Sequence, residues 1–248
     1  MISSLSCSED PDAGRPFCVA RERLPADLAL RAASRFGLSA GGNADRAEAT
    51  LLPAGSDRER WLAALEHGAF FAVELTEQGD AQGDWAGVPP VTQGFYLSLT
   101  TATAYGLQCA VLVCDALARR GVLTDERRPA VELCLHEAIA NAILHGNMGI
   151  PSAPKEKPEG HRLFSQLIQD RLGDGAVRGR RLDLFVRWED GTLSIAVLDQ
   201  GGGFDSSALP ETARRGARSG RGFLFMRSLA RAVTVTDGGR CTLLQFDL

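Results

Sequence analysis

The chain has 248 residues, 44% of them hydrophobic and 23% charged, with a formal net charge of −4. That balance belongs to an ordinary folded chain long enough to bury a core, and it excludes a disordered chain, a collagen-like repeat and a coiled-coil rod. Mild acidity argues against a general nucleic-acid binder, which would be basic. Lysine occurs only at Lys155 and Lys157, so the positive charge is almost all arginine. Together with abundant Ala and Gly, this is the coding bias of a GC-rich genome and not a function.

The six cysteines are Cys7, Cys18, Cys109, Cys114, Cys134 and Cys241. None forms a C-x-x-C pair, and no His/Cys spacing suits zinc. No basic-then-apolar signal opens the chain. Free thiols in a reducing cytoplasm are expected.

In chain order, residues 1–15 are polar and rich in Ser, Asp, Gly and Pro, as a loose end would be. Residues 21–36 have helical spacing, with Leu24, Leu28, Leu30 and Ala33 as apolar marks, and 37–43 form a loop. A strand is expected over 47–52. A helix follows over 57–67, with Ser56 as N-cap and Gly68 as stop, then a strand over 69–75. The Gly-, Asp-, Gln- and Pro-rich stretch 76–90 reads as a linker. It divides a small α/β region, 1–91, from a second domain, 92–248. The first region suggests a sensor or a degenerate receiver-like unit without an acidic Mg²⁺ cluster.

From 95 to 118 the only charge is Asp115, a length that could cross a bilayer. However, 94–101 alternates like a strand and 104–121 has helical spacing, so a buried strand and a core helix explain it better than a membrane span. Residues 128–145 form a long helix with Pro129 near its start. A loop is expected over 151–160. An amphipathic helix over 161–172 carries Leu163, Phe164, Leu167, Ile168 and Leu172 on one face. Strands over 182–188 and 192–198 meet at Glu189–Asp190–Gly191, a hairpin signal. A helix over 222–232 precedes a strand pair, 232–236 and 241–246, around Asp237–Gly238–Gly239. Helices beside mostly antiparallel strands predict an α+β fold, a two-layer α/β sandwich.

Three segments carry chemistry. In HEAIANAILHGN, 136–147, an apolar stripe of Leu135, Ile139, Ala142 and Ile143 leaves Glu137, Asn141 and His145 on another helical face. A carboxamide oxygen suits Mg²⁺, and a carboxylate one turn away can take a proton from a hydroxyl. A solvated polar face would look the same. In LDQGGGFD, 198–205, Asp199 at a strand end can accept from a purine amino group, and the glycines permit close backbone approach. Alone it is equally a glycine-rich turn. In SGRGF, 219–223, glycines open a helix whose free N–H groups suit phosphate. Arg214, Arg215, Arg218 and Arg221 cluster there. Alone it is equally a solvated basic loop.

Taken together, in this order, residues 92–248 resemble the GHKL ATPase superfamily of gyrase, a heat-shock chaperone, histidine kinases and a mismatch-repair protein. Within it, the E-A-x-x-N-A-x-x-H-G-N form resembles the anti-sigma-factor serine/threonine kinases. The resemblance implies a Bergerat ATP-binding fold with ATP and Mg²⁺ as cofactors. It implies that Asn141 binds the metal and that Glu137 is the catalytic general base. Asp199 would read adenine, with Gly201 and Gly203 beside it. Gly220 and Gly222 would be the phosphate-loop glycines, Arg218 or Arg221 a phosphate contact, and Thr242 a residue near the adenine. Cys241–Thr242 replaces the family's Gly–Thr pair, Arg231 stands where many members have Asp, and 151–176 is an insert. The implied activity is transfer of the ATP γ-phosphate to a small STAS-like antagonist protein, with a sigma factor or other regulator as a second partner. A homodimer is compatible with the family. The alternatives are a nucleotide-gated binding module without transfer, or a histidine-kinase core.

Overall fold

The computed structural model describes residues 15–19, 38–40, 49–66, 70–75, 93–151, 160–205 and 221–248. The expected helix over 21–36, the 76–90 linker and most of the 151–160 loop lie outside them. So do the Gly68 stop, Arg214, Arg215, Arg218 and Gly220.

Among the described residues, nine strands form one sheet in the order β2-β1-β3-β4-β5-β6-β7-β9-β8. β1 (Arg15–Val19), β2 (Leu38–Ala40), β3 (Ala49–Pro53) and β4 (Phe71–Leu75) are parallel, and β4 pairs in parallel with β5 (Gly94–Thr100). This 2-1-3-4-5 order is also that of flavodoxin-like sheets. From β5 onward the pairing is antiparallel, through β6 (Arg181–Glu189), β7 (Thr192–Asp199), β9 (Cys241–Asp247) and β8 (Ala232–Thr236). β5 is therefore the strand on which a parallel half joins an antiparallel one. It is buried along its whole length, as a strand covered on both faces must be.

From β3 onward the strand expectations hold within a residue or two at most ends, whereas β1 was not expected and β2 takes part of the loop expected over 37–43. The hairpin forms as expected: Asp190 and Gly191 both take positive φ, 48° and 72°, between the paired Glu189 and Thr192, the conformation of a two-residue type I′ turn.

The helices depart from expectation at several points. Helix α1 (Arg58–Glu66) is capped by Asp57, whose Oδ1 accepts from Arg60 N at 3.0 Å. Ser56 is buried, and its hydroxyl donates back to Pro53 O. The expected single helix after β5 is two, α2 (Thr101–Gly106) and α3 (Cys109–Arg119). Leu107 between them is extended, with φ −98° and ψ 138°, so the helical ladder cannot continue. The long helix runs as α4 (Arg128–Ala140) and then widens into a π-helix, Asn141–Asn147. Beyond it lie α5 (Gly160–Gly173), α6 (Gly175–Arg178) and α7 (Arg221–Leu229). On α5, Phe164 and Ile168 are buried as expected, but Leu163 is 48% exposed.

One hydrophobic core runs between the helices and the sheet. It includes Trp61, Leu62 and Leu65 from α1 together with Leu112 and Leu117 of α3, Leu135 of α4 and Ile195 of β7. The first half is also tied to the second by a buried polar group. Glu74 of β4 accepts from Thr100 N (2.6 Å) and Thr103 Oγ1 (2.5 Å) at the start of α2. Arg181, fully buried at the start of β6, donates to Glu74 O (3.0 Å) and to the carbonyl and hydroxyl of Ser98. These bonds satisfy groups that burial would otherwise make costly. Among the described residues no helix is long and apolar enough to cross a membrane. Cys109, Cys114, Cys134 and Cys241 are free thiols.

Candidate functional site

The site is built where α4 and its π-helical end lie over the ends of β7 and β9. Along α4, Leu135, Ala138 and Ile139 are buried, and Ala142 and Ile143 continue that buried stripe. Glu137 and Asn141 lie off the stripe and are half-buried. Among the described residues neither side chain has a hydrogen-bond partner. His145, expected on the same face, lies within the π-helical segment, whose bonding runs i to i+5. Its Nδ1 lies 2.5 Å from Ile150 O.

Gly222, in the first turn of α7, faces Glu137. A Cβ added there would collide with Glu137 Oε2. A bare helix start thus lies directly against a carboxylate with no partner among the described residues. The backbone of Arg221 opens α7, but its side chain, like Arg218 and Gly220, is outside the described residues.

Asp199 ends β7. Its Oδ1 accepts from Gly201 N at 2.8 Å, and among the described residues Oδ2 has no partner. Its carboxyl is held above the usual range by burial, opposed by the Gly201 bond and the nearby Arg240. Two close approaches confine it. A Cβ on Gly146 would strike the Asp199 carboxylate, and one on Gly201 would strike the Gly146 backbone. Gly203 takes φ +70° and packs against Gly238 O, while Phe204 N donates to that same carbonyl at 2.9 Å. The β8–β9 turn therefore supports the glycine loop, a contact that sequence reasoning missed.

Thr242 is buried in β9 opposite Val197. Val197 and Asp199 share a face of β7 by the two-residue alternation of strands, so Thr242 and Asp199 open onto the same layer. The structure thus gathers Glu137, Gly222 and, one helical turn on, Asn141 at one place, and Asp199, Gly201, Gly203 and Thr242 at another. Arg231, one of the departures from the family pattern, bonds away from the site, to Asp247 Oδ1 at 3.1 Å.

Sequence reasoning also missed Gly146 and Asn147. Both lie inside the H-G-N triplet, and the signal was there in a glycine and a short amide at a helix end. Nothing in that signal says that Asn147 would be buried.

An α/β sandwich with a helix-borne Glu and Asn beside a glycine-opened helix, and an Asp–Gly loop at a strand end, is the arrangement of a nucleotide-binding ATPase domain. The family model of the histidine kinase-like ATPase domain matches residues 100–246, and the chain belongs to that family, an ATP-binding domain of the GHKL superfamily. No curated protein matches the chain significantly.

Proposed function

We propose that this protein is a Mg·ATP-dependent protein serine/threonine kinase of the anti-sigma-factor, partner-switching type. The observation that carries the proposal is the half-buried Glu137 lying against Gly222 at the start of α7, with Asn141 one turn further along. A carboxylate with no partner among the described residues, beside backbone N–H groups at a helix start, puts a proton acceptor next to a phosphate cradle.

In this reading Asp199 Oδ2 accepts from the adenine amino group, with Thr242 beside it on the same layer. Main-chain N–H groups of α7 face the phosphates, helped by Gly220 and by Arg218 or Arg221. The bareness of Gly222 suits this, since a side chain there would collide with Glu137. Asn141 would hold a Mg²⁺ ion through its carboxamide oxygen, and that ion would neutralise phosphate charge. Among the described residues no group of three acidic, His or Cys side chains converges on a cation site. Glu137 takes the proton of an incoming Ser or Thr hydroxyl as its oxygen bonds to the γ-phosphorus. The bond to the β-phosphate oxygen breaks, and ADP leaves. The acceptor is a small STAS-like antagonist, and a sigma factor or similar regulator is the second partner.

The test is transfer of labelled γ-phosphate from ATP to small co-encoded proteins. Wild type should label one on Ser or Thr. Glu137→Ala should bind ATP and fail to transfer, and Asn141→Ala should lose Mg·ATP binding. Tight Mg·ATP binding by the Asn141 variant would sink its assigned role. ATP binding without transfer to any candidate would leave a nucleotide-gated binding module.

A further inference from the structure

Asn147 differs from its neighbours on the π-helix in being fully buried. Its carboxamide joins three segments that are distant in sequence. Nδ2 donates to Thr101 Oγ1 (2.9 Å) at the start of α2 and to Arg181 O (2.9 Å) at the start of β6. Oδ1 accepts from Gln200 N at 2.7 Å, directly after Asp199. Its main-chain carbonyl accepts from Arg180 Nη1 at 2.5 Å.

The orientation of this amide is dictated from outside. A hydroxyl has one proton to give, and that of Thr101 goes to Arg180 O at 2.9 Å. Thr101 can therefore only accept from Asn147. Arg181 O, a carbonyl, can also only accept. Both partners call for the NH₂ end of the carboxamide, which leaves its oxygen facing Gln200 N.

That last bond fixes the peptide joining Asp199 to Gln200. Gly146, the residue before Asn147, supplies the other constraint by leaving room for the Asp199 carboxylate. One residue of the pair provides space and the next provides a hydrogen bond, so 146–147 forms a seat for 199–201.

We propose that Asn147 is a positioning residue for base recognition, holding the Asp199–Gln200 peptide so that Asp199 Oδ2 is presented to the purine, and that Thr101 sets the polarity of its amide. The inference rests on the reading of Asp199 as the base-contacting residue.

The experiment is calorimetric binding of ATP and of GTP, each with Mg²⁺, to the full chain. Wild type, Thr101→Val, Thr101→Ser, Asn147→Ala and Asp199→Asn are compared, with thermal melts alongside. Thr101→Val keeps the shape and removes the hydroxyl, both the acceptor for Asn147 Nδ2 and the donor to Arg180 O. It should lower ATP affinity by roughly tenfold, the equivalent of one lost hydrogen bond, with GTP affinity changed less than about twofold on the same scale. Thr101→Ser should restore the preference. Asn147→Ala should lower the preference at least as far, and if it does not fold, the two Thr101 variants decide. An unchanged ATP-to-GTP ratio in Thr101→Val, or equal loss of both nucleotides, would overturn the positioning role. Wild type that binds neither nucleotide, or that keeps its ATP preference in Asp199→Asn, would overturn the reading of Asp199 and this inference with it.

Discussion

The Glu137 carboxylate lies so close to the Gly222 backbone that no side chain fits between them. The obstructing atom is the far end of a flexible side chain, so Gly222→Ala should fold and displace Glu137. Phosphoryl transfer should fall by roughly 10²-fold or more, the range for a lost general base, with ATP affinity less affected. Initial rates at saturating ATP, compared with calorimetric binding, separate the two effects.

Gly201 presents the opposite case. A Cβ there meets the Gly146 backbone, which cannot swing aside as a carboxylate can. Gly201→Ala should destabilise the fold by about 1–3 kcal/mol, as overpacked sites do, and should weaken ATP binding by shifting the Asp199 loop. Urea denaturation gives the first effect and titration the second.

Acid should weaken nucleotide discrimination. Only the ionised Asp199 offers both carboxylate oxygens as acceptors, and burial raises its carboxyl above the usual range. Its proton therefore returns at a higher pH than on an exposed aspartate, and the preference for ATP over GTP should fall as pH drops through that value. Titrating both nucleotides in parallel cancels the ionisation of their phosphates. A ratio that stays level down to the ordinary Asp range of about pH 4 would contradict this.

The strands from β3 onward were legible because alternation and Asp–Gly turns are local signals, as 182–188 and Asp190–Gly191 illustrate, but β1 and β2 were not. Glu137 and Asn141 could be placed on one helix face from their four-residue spacing, and Asp199 at a strand end from the alternation before it, while their roles come from the resemblance. The π-helix was not legible. Its i to i+5 bonding wins once Gly146 and Asn147 are drawn against β7, which is a tertiary effect. The break at Leu107 was hidden because no proline interrupts 104–121 and its apolar residues keep helical spacing. Ser56 and Asp57 are both good caps, and only the burial of Ser56 decides between them. The joining of the two halves on β5 was invisible because it depends on partners distant in sequence.

Thiol reactivity should divide the cysteines. Burial pushes Cys109 and Cys114 up to about 12 and Cys134 up to about 11, and the thiolate is the reacting form. At pH 8 native protein should leave these three unlabelled by iodoacetamide. Half-buried Cys241 should react first among the described cysteines. Peptide mass spectrometry before and after unfolding reads the difference.

Glu74→Ala would strip the acceptor from Thr100 N and Thr103 Oγ1, at about 1–3 kcal/mol for the buried Thr100 N–H left bare. Glu74→Gln keeps an acceptor oxygen and should lose less. Cutting the chain before residue 93 removes the same acceptor and uncovers β5, so that fragment should melt well below the whole protein. Circular dichroism melts of the three proteins test the ranking.

The Arg181–Glu74 bond spans 107 positions, which has a consequence during translation. The four parallel strands leave the ribosome long before β6 is made. Until then the Glu74 main-chain carbonyl lacks its Arg181 donor, and β5 has a bare edge where β6 will pair. Such long-range closure folds slowly, and an unpaired edge invites aggregation. The nascent first half is therefore the stage at which this chain most needs a chaperone, and the arrival of Arg181 is what ends that need.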